Sequence, residues 1–175
     1  MRLKPMLLPW FAAAVVTLAG CDEGAVPTMR RDSGEPTQAQ PKLPTIRLYF
    51  KSKLGAETLD AEQALTEMQE RTGMMFRTNI QETDAMIFVL PFPQRASFWM
   101  KNCPESISCA YIGGDGVIRE IHHLEKNDEN AVLANTDDIV FVLETSDGWF
   151  DRHHILPGTE ILTDKGSLAD TYLKH

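Results

Sequence analysis

Basic residues are in short supply: 17 Lys and Arg stand against 25 Asp and Glu in 175 residues, a formal net charge of -8. Sequence-independent binding of nucleic acid needs clustered cations that displace counterions, so that class is excluded. Cysteine is scarce as well: Cys21, Cys103 and Cys109 form no Cys-x-x-Cys pair, and a dithiol redox motif is unsupported. There is no Gly-x-Ser-x-Gly elbow, phosphate-binding loop, dinucleotide fingerprint or zincin motif, so no cofactor is indicated. What is present is an ordinary globular composition, 43% hydrophobic and 24% charged, sufficient for one domain with appendages.

The chain opens Met1-Arg2-Leu3-Lys4 and then runs without charge from Pro5 to Gly20. Two cations before a short apolar stretch is the layout of a secretory signal, and the stretch is shorter than the roughly 20 residues of a spanning helix. Leu18-Ala19-Gly20-Cys21 resembles the bacterial lipobox. That resemblance implies removal of residues 1–20 and acylation of Cys21, which anchors the chain in a bacterial membrane, facing the periplasm or the exterior. Asp22 resembles the proteobacterial signal for retention in the inner membrane. Residues 21–44 carry Pro27, Pro36, Pro41 and Pro44 among small polar residues and read as the lipidated cysteine and a flexible linker. Cleavage would remove Arg2 and Lys4 from the 17 bases, leaving 15 against 25 acids, so the lipid and not the protein surface would do the anchoring.

From Thr45 the texture becomes short apolar runs divided by Gly, Pro, Asn and Asp. Alternation predicts a strand through Ile46, Leu48 and Phe50. Ala61, Ala64, Leu65 and Met68 recur at helical spacing, with Asp60 and Gln63 as a cap and Gly73 as the stop. Further strands are expected at 85–90, 96–101, 107–112, 117–124 and 139–145, with a tight hairpin at Gly113-Gly114-Asp115-Gly116 and a second short helix near 147–154. The expected fold is mainly β, a single β-sandwich or barrel-like domain over 45–162 with one or two short helices. Residues 163–175 read as a loosely held C-terminal tail.

Several stretches resemble the domain of unknown function 192 family: Glu70-Arg71-Thr72-Gly73-Met74-Met75-Phe76-Arg77, Met86-Ile87-Phe88, Ser97-Phe98-Trp99-Met100-Lys101-Asn102, Asp115-Gly116-Val117-Ile118, and Val142-Leu143-Glu144 with Gly148-Trp149. The resemblance covers about residues 45–162 and implies a compact, mostly β domain, often secreted or lipid-anchored, with no established activity. It also implies two departures. Ser108 stands where the family usually has an aspartate, and Ala85 stands where it has a glycine.

The candidate ligand-binding residues are Trp99, Lys101 and Asn102, with Arg71 and Trp149 as wall residues. With Phe98 and Met100 facing the core, Trp99 and Lys101 point outward together, where an indole, an ammonium and an amide could grip an anionic or sugar-like ligand. A surface tryptophan covered by the lysine stem would present the same pattern. Arg71 and Arg77 bracket an apolar Met74-Met75-Phe76 patch, and an arginine beside a carboxylate such as Glu144 would usually form a structural ion pair. Glu144 ends an apolar strand and is the candidate acid/base group of an alternative reading, an envelope hydrolase-like or transferase-like enzyme that also uses Lys101. His122-His123 and His153-His154 lack ligand spacing, so no metal site is expected. Cys103 and Cys109 could form a disulfide only if residues 104–106 fold back; otherwise they are buried small side chains. The reading of the whole is a membrane-tethered binding or interaction module whose ligand or envelope protein partner is unknown.

Overall fold

A computed structural model describes residues 34–52 and 55–174. The signal segment, Cys21 and the linker as far as residue 33 lie outside the described residues. Ten strands, β1 (Thr45–Ser52), β2 (Gly55–Ala64), β3 (Ala85–Gln94), β4 (Ser97–Phe98), β5 (Ile107–Gly113), β6 (Ile118–Leu124), β7 (Val132–Leu133), β8 (Ile139–Ser146), β9 (Glu160–Thr163) and β10 (Gly166–Ser167), make the domain mainly β. Three short helices accompany them: α1 (Glu67–Thr72), α2 (Trp149–Arg152) and α3 (Leu168–Tyr172).

Eight strands form one sheet in the order β10-β9-β1-β2-β3-β8-β5-β6, and β4 pairs with β7 apart from it. Neighbours are antiparallel except β2 and β3, which run parallel because α1 and the following loop carry the chain across between them. The sheet curls on itself until the start of β6 meets β9. Val117 bridges Glu160, Ile161 N–H donates to Gly116 O at 2.9 Å, and Ile118 N–H donates to Thr159 O at 3.0 Å. The barrel-like expectation therefore holds, and its interior is filled by Leu48, Phe50, Ile87, Ile112, Phe141 and Leu143 with Trp149 and Phe150 of α2.

A second core lies on the outer face of the same wall. Met86 and Phe88 of β3, Cys109 and Tyr111 of β5 and Val142 of β8 pack there against Met74, Met75 and Met100. The central strands are thus covered on both faces, which is why β5 and β8 are buried along their whole length.

Several sequence expectations change. The stretch Ala61–Met68 is not a helix: residues through Ala64 continue β2, and helix α1 starts only after Thr66. Strand pairing and the burial of Leu59, Ala61 and Ala64 override the helical spacing. Thr66 and Gln69 form the actual capping box, Asp60 instead pairs with Arg47 on the sheet surface, and Gly73 ends the helix as expected. The strand expected at 96–101 shrinks to Ser97–Phe98. The strand expected at 85–90 continues past Leu90 through Pro91 and Pro93 to Gln94, with an irregularity between Val89 and Gln94. The tail is not loose: β10 pairs with β9, and Leu168 is fully buried in the barrel core. The end of the linker is also held, since Gln40 donates to Gly73 O at 2.9 Å and Leu43 N–H donates to Glu62 at 2.8 Å.

Candidate functional site

Two segments build the site, the α1 turn and the loop after β4. Asn102 takes a left-handed φ of 58°, which an asparagine tolerates, and its carbonyl accepts Phe76 N–H at 2.7 Å. Met100 N–H donates to Asp128 O at 2.7 Å, and Asn127 N–H donates to Cys103 O at 2.9 Å. With its backbone fixed on both sides, the loop buries Met100 and leaves Trp99 43% exposed at the lip. Although 99–101 is not a strand, Trp99 and Lys101 still meet: the ammonium lies 5.4 Å from the indole centroid.

Arg71, Trp99, Lys101 and Asn102 line one cavity of about 240 Å³ with Met75, Glu35 and Pro36. Lys101 is not free, because Glu35 of the linker accepts its Nζ at 2.8 and 3.0 Å. That hydrogen bond raises the Lys101 pKa and lowers that of Glu35. Arg71 makes an i,i+4 pair with Glu67 at 3.0 Å.

Arg71, Met75 and Trp99 also border a larger cleft of about 330 Å³. Glu67 and Glu70 stand on its helical wall, Phe88, Phe98 and Cys103 contribute apolar surface, and Glu144 reaches its lining from β8. Glu144 sits in a cross-strand row with Met86 and Cys109, so the alternation of β8 sends it to the outer core rather than to solvent. It is 5% exposed, and its Oε2 has no hydrogen-bond partner among the described residues. Burial pushes its pKa up to about 8, against a weak opposing pull from Arg77. Arg77 itself is engaged elsewhere, in a two-pronged pair with Glu62 at 2.6 and 2.8 Å.

The remaining candidates fall outside this region. Trp149 is not a wall residue: it is 1% exposed inside the barrel, against Phe50 and Phe150 and stacked on His153 with centroids 4.3 Å apart. Cys103 and Cys109 are separate buried thiols, not a disulfide, and burial raises both pKa values. Lys101 does not line the Glu144 cleft, so the acid/base pair of the enzyme reading is not brought together. His122 contacts Glu120 at 2.8 Å, and His123 contacts Asp147 at 2.7 Å. Among the described residues no cluster of His, Cys, Asp and Glu suits a metal ion.

Sequence reasoning missed Glu67, Glu70 and Glu35. The first two were legible in principle, since Thr66-x-x-Gln69 with acids between and after is a helix-start signature that fixes the face of α1. Glu35 gave no signal, being one polar residue in a proline-rich stretch.

Comparison with known proteins settles the family. The model of the domain of unknown function 192, described as an uncharacterized ACR, matches residues 50–163. The chain belongs to this family. A protein from Sinorhizobium meliloti 1021, provisionally described as a transcription regulator, has a similar crystal structure, with a TM-score of 0.66 and 24% identity over 71% of this chain and 98% of that one. A protein of unknown function from Novosphingobium aromaticivorans is likewise similar, with a TM-score of 0.66 and 27% identity over 70% of this chain and 89% of that one. No curated protein matches. Ser108 has a structural role here: its Oγ accepts Gly148 N–H at 2.8 Å and ties the start of α2 to β5. Ala85 lies in β3 as an ordinary strand residue.

Proposed function

We propose that this member of the domain of unknown function 192 family is a binding module, held at a bacterial envelope membrane through lipid on Cys21, that takes a small ligand beside Trp99. The observation that carries the reading is convergence. Arg71, Trp99, Lys101 and Asn102 come from two segments nearly thirty residues apart and border one cavity, which adjoins a second cleft through Arg71, Met75 and Trp99. A large exposed indole on a backbone-pinned loop is pre-organised, so little ordering entropy opposes binding. Glu35 adds support, because a carboxylate of the chain's own linker already occupies Lys101, as a ligand's anionic group would.

The test uses Trp99→Ala and Lys101→Ala in the full-length protein, screened by calorimetry against envelope-derived small molecules. Retention should weaken at least tenfold while the melting temperature stays within about 2 °C of the wild type, since both side chains reach solvent. Melting that collapses in both variants would instead mark them as structural.

A further inference from the structure

The cleft beneath Trp99 is lined by more carboxyl groups than bases. Its lining includes three carboxyl groups, Glu67, Glu70 and Glu144, and one base, Arg71, which Glu67 already neutralises. Among the described residues no cation pairs with Glu70, and burial together with Glu67 raises its pKa. Glu144 is buried with an oxygen lacking any partner, a state that normally costs about 1–3 kcal/mol.

The other walls fit an organic cation. Phe98 and Trp99 present aromatic surface, with the buried Phe88 behind Phe98, and aromatic faces attract ammonium groups, as the position of Lys101 over Trp99 already illustrates. Met75 beside them suits a hydrocarbon stem. A divalent ion ligated directly by the protein is a poorer match, because Mg²⁺ and Ca²⁺ require a shell of oxygens that thioether and aromatic walls do not supply.

We propose that the cleft binds a primary alkylammonium group, with its charge between Glu70 and Glu144 and its hydrocarbon stem toward Trp99. The inference rests on the binding reading above and names the chemistry of the end of the ligand that lies away from Lys101. Binding would displace the proton of Glu144: the N–H donors of the ammonium take over the carboxylate, and the released proton passes to solvent. The groups facing Glu144 leave this exchange readable. The thiols of Cys103 and Cys109 and the phenol of Tyr111 are pushed upward by burial and stay neutral near pH 7, and Arg77 stays paired with Glu62.

Calorimetric titration of the full-length protein with butylammonium, butanol and butyrate at pH 7 tests this. Butylammonium alone should give saturable heat, and that heat should vary with the ionisation enthalpy of the buffer in proportion to nearly one proton released per ligand. Glu144→Gln should bind at least tenfold more weakly and release no proton. Glu70→Gln should weaken binding while leaving the proton release intact, which keeps the test decisive if Glu144→Gln folds poorly. Binding of butyrate or butanol in preference to the amine would overturn the inference and leave the Trp99 module standing. Amine binding unchanged in Glu144→Gln, or without proton release in the wild type, would overturn it too. Absence of binding by all three probes would also count against it, and the Trp99→Ala and Lys101→Ala melting data would then decide the fate of the broader reading.

Discussion

Glu144 is protonated where most glutamates are charged, and folding stability inherits that difference. Its pKa is near the ordinary 4.5 in the unfolded chain and rises to about 8 in the fold. Between those values the folded state holds a proton that the unfolded state has lost. Stability contributed by the neutral acid is therefore fully present below the unfolded pKa and is lost as pH rises toward 8, at up to about 1.4 kcal/mol per pH unit. Raised His123 acts in the same direction on its own account, through its hydrogen bonds to Asp147 and Glu125. Glu144→Gln should make the decline between pH 5 and 8 less steep and leave the parts that come from His123 and Glu70, whose pKa values are also raised. Denaturant melts across that range check this, and an unchanged slope in the variant would sink it. The sequence allowed Glu144 to be read as partly buried, because it closes an apolar strand. Trp149 was misplaced for a related reason: Gly148-Trp149 shows a tryptophan after a turn, but nothing local says that α2 turns its ring into a barrel.

The elements were legible where one face was clearly apolar and less so where two faces were buried. β1 and the β5–β6 hairpin follow their alternation and their Gly-rich turn. In the hairpin, Gly116 takes a φ of 80°, and a side chain there would lie 3.1 Å from Ile161 O, where the ring of strands closes. β2 looked helical because Ala61, Ala64 and Leu65 recur at helical spacing, and only pairing with β1 and β3 decides for a strand. The C-terminal helix α3 was overlooked because five residues carry too little pattern, although Ser167 and Asp170 cap it fully. Its anchor is Leu168, fully buried among the barrel residues. Leu168→Ala should cost about 2–5 kcal/mol by the loss of buried surface and the cavity left behind. A melting temperature unchanged in that variant would return the segment to the status of a tail.

For the whole molecule, the boundary between linker and domain lies earlier than composition suggests. Residues 35–44 have linker composition, yet Lys42 pairs with Asp84 at 2.8 Å, and Leu43 N–H reaches the buried Glu62. Glu62 is held ionised against its burial by hydrogen bonds from Arg77, Leu43 and Lys42, so the arm and the domain share one buried charge network. Hydrogen exchange at the Leu43 amide should therefore be slow in the wild type and much faster in Glu62→Ala. Exchange at the rate of a free peptide in the wild type would show the arm to be undocked. Composition alone could not reveal this, because the arm is held by hydrogen bonds scattered over Gln40, Lys42, Leu43 and Pro44 and not by a run of buried apolar side chains.

Under the membrane anchorage proposed above, the meeting of β6 with β9 gains a consequence. Chains so confined would reach high local concentrations, and an open sheet edge would then invite neighbours to extend it. Here the ring closes at Val117 and Glu160, and the edge left along β6 bears Arg119, Glu120, His122 and His123. Crowded copies would meet charge, not an unfinished ladder.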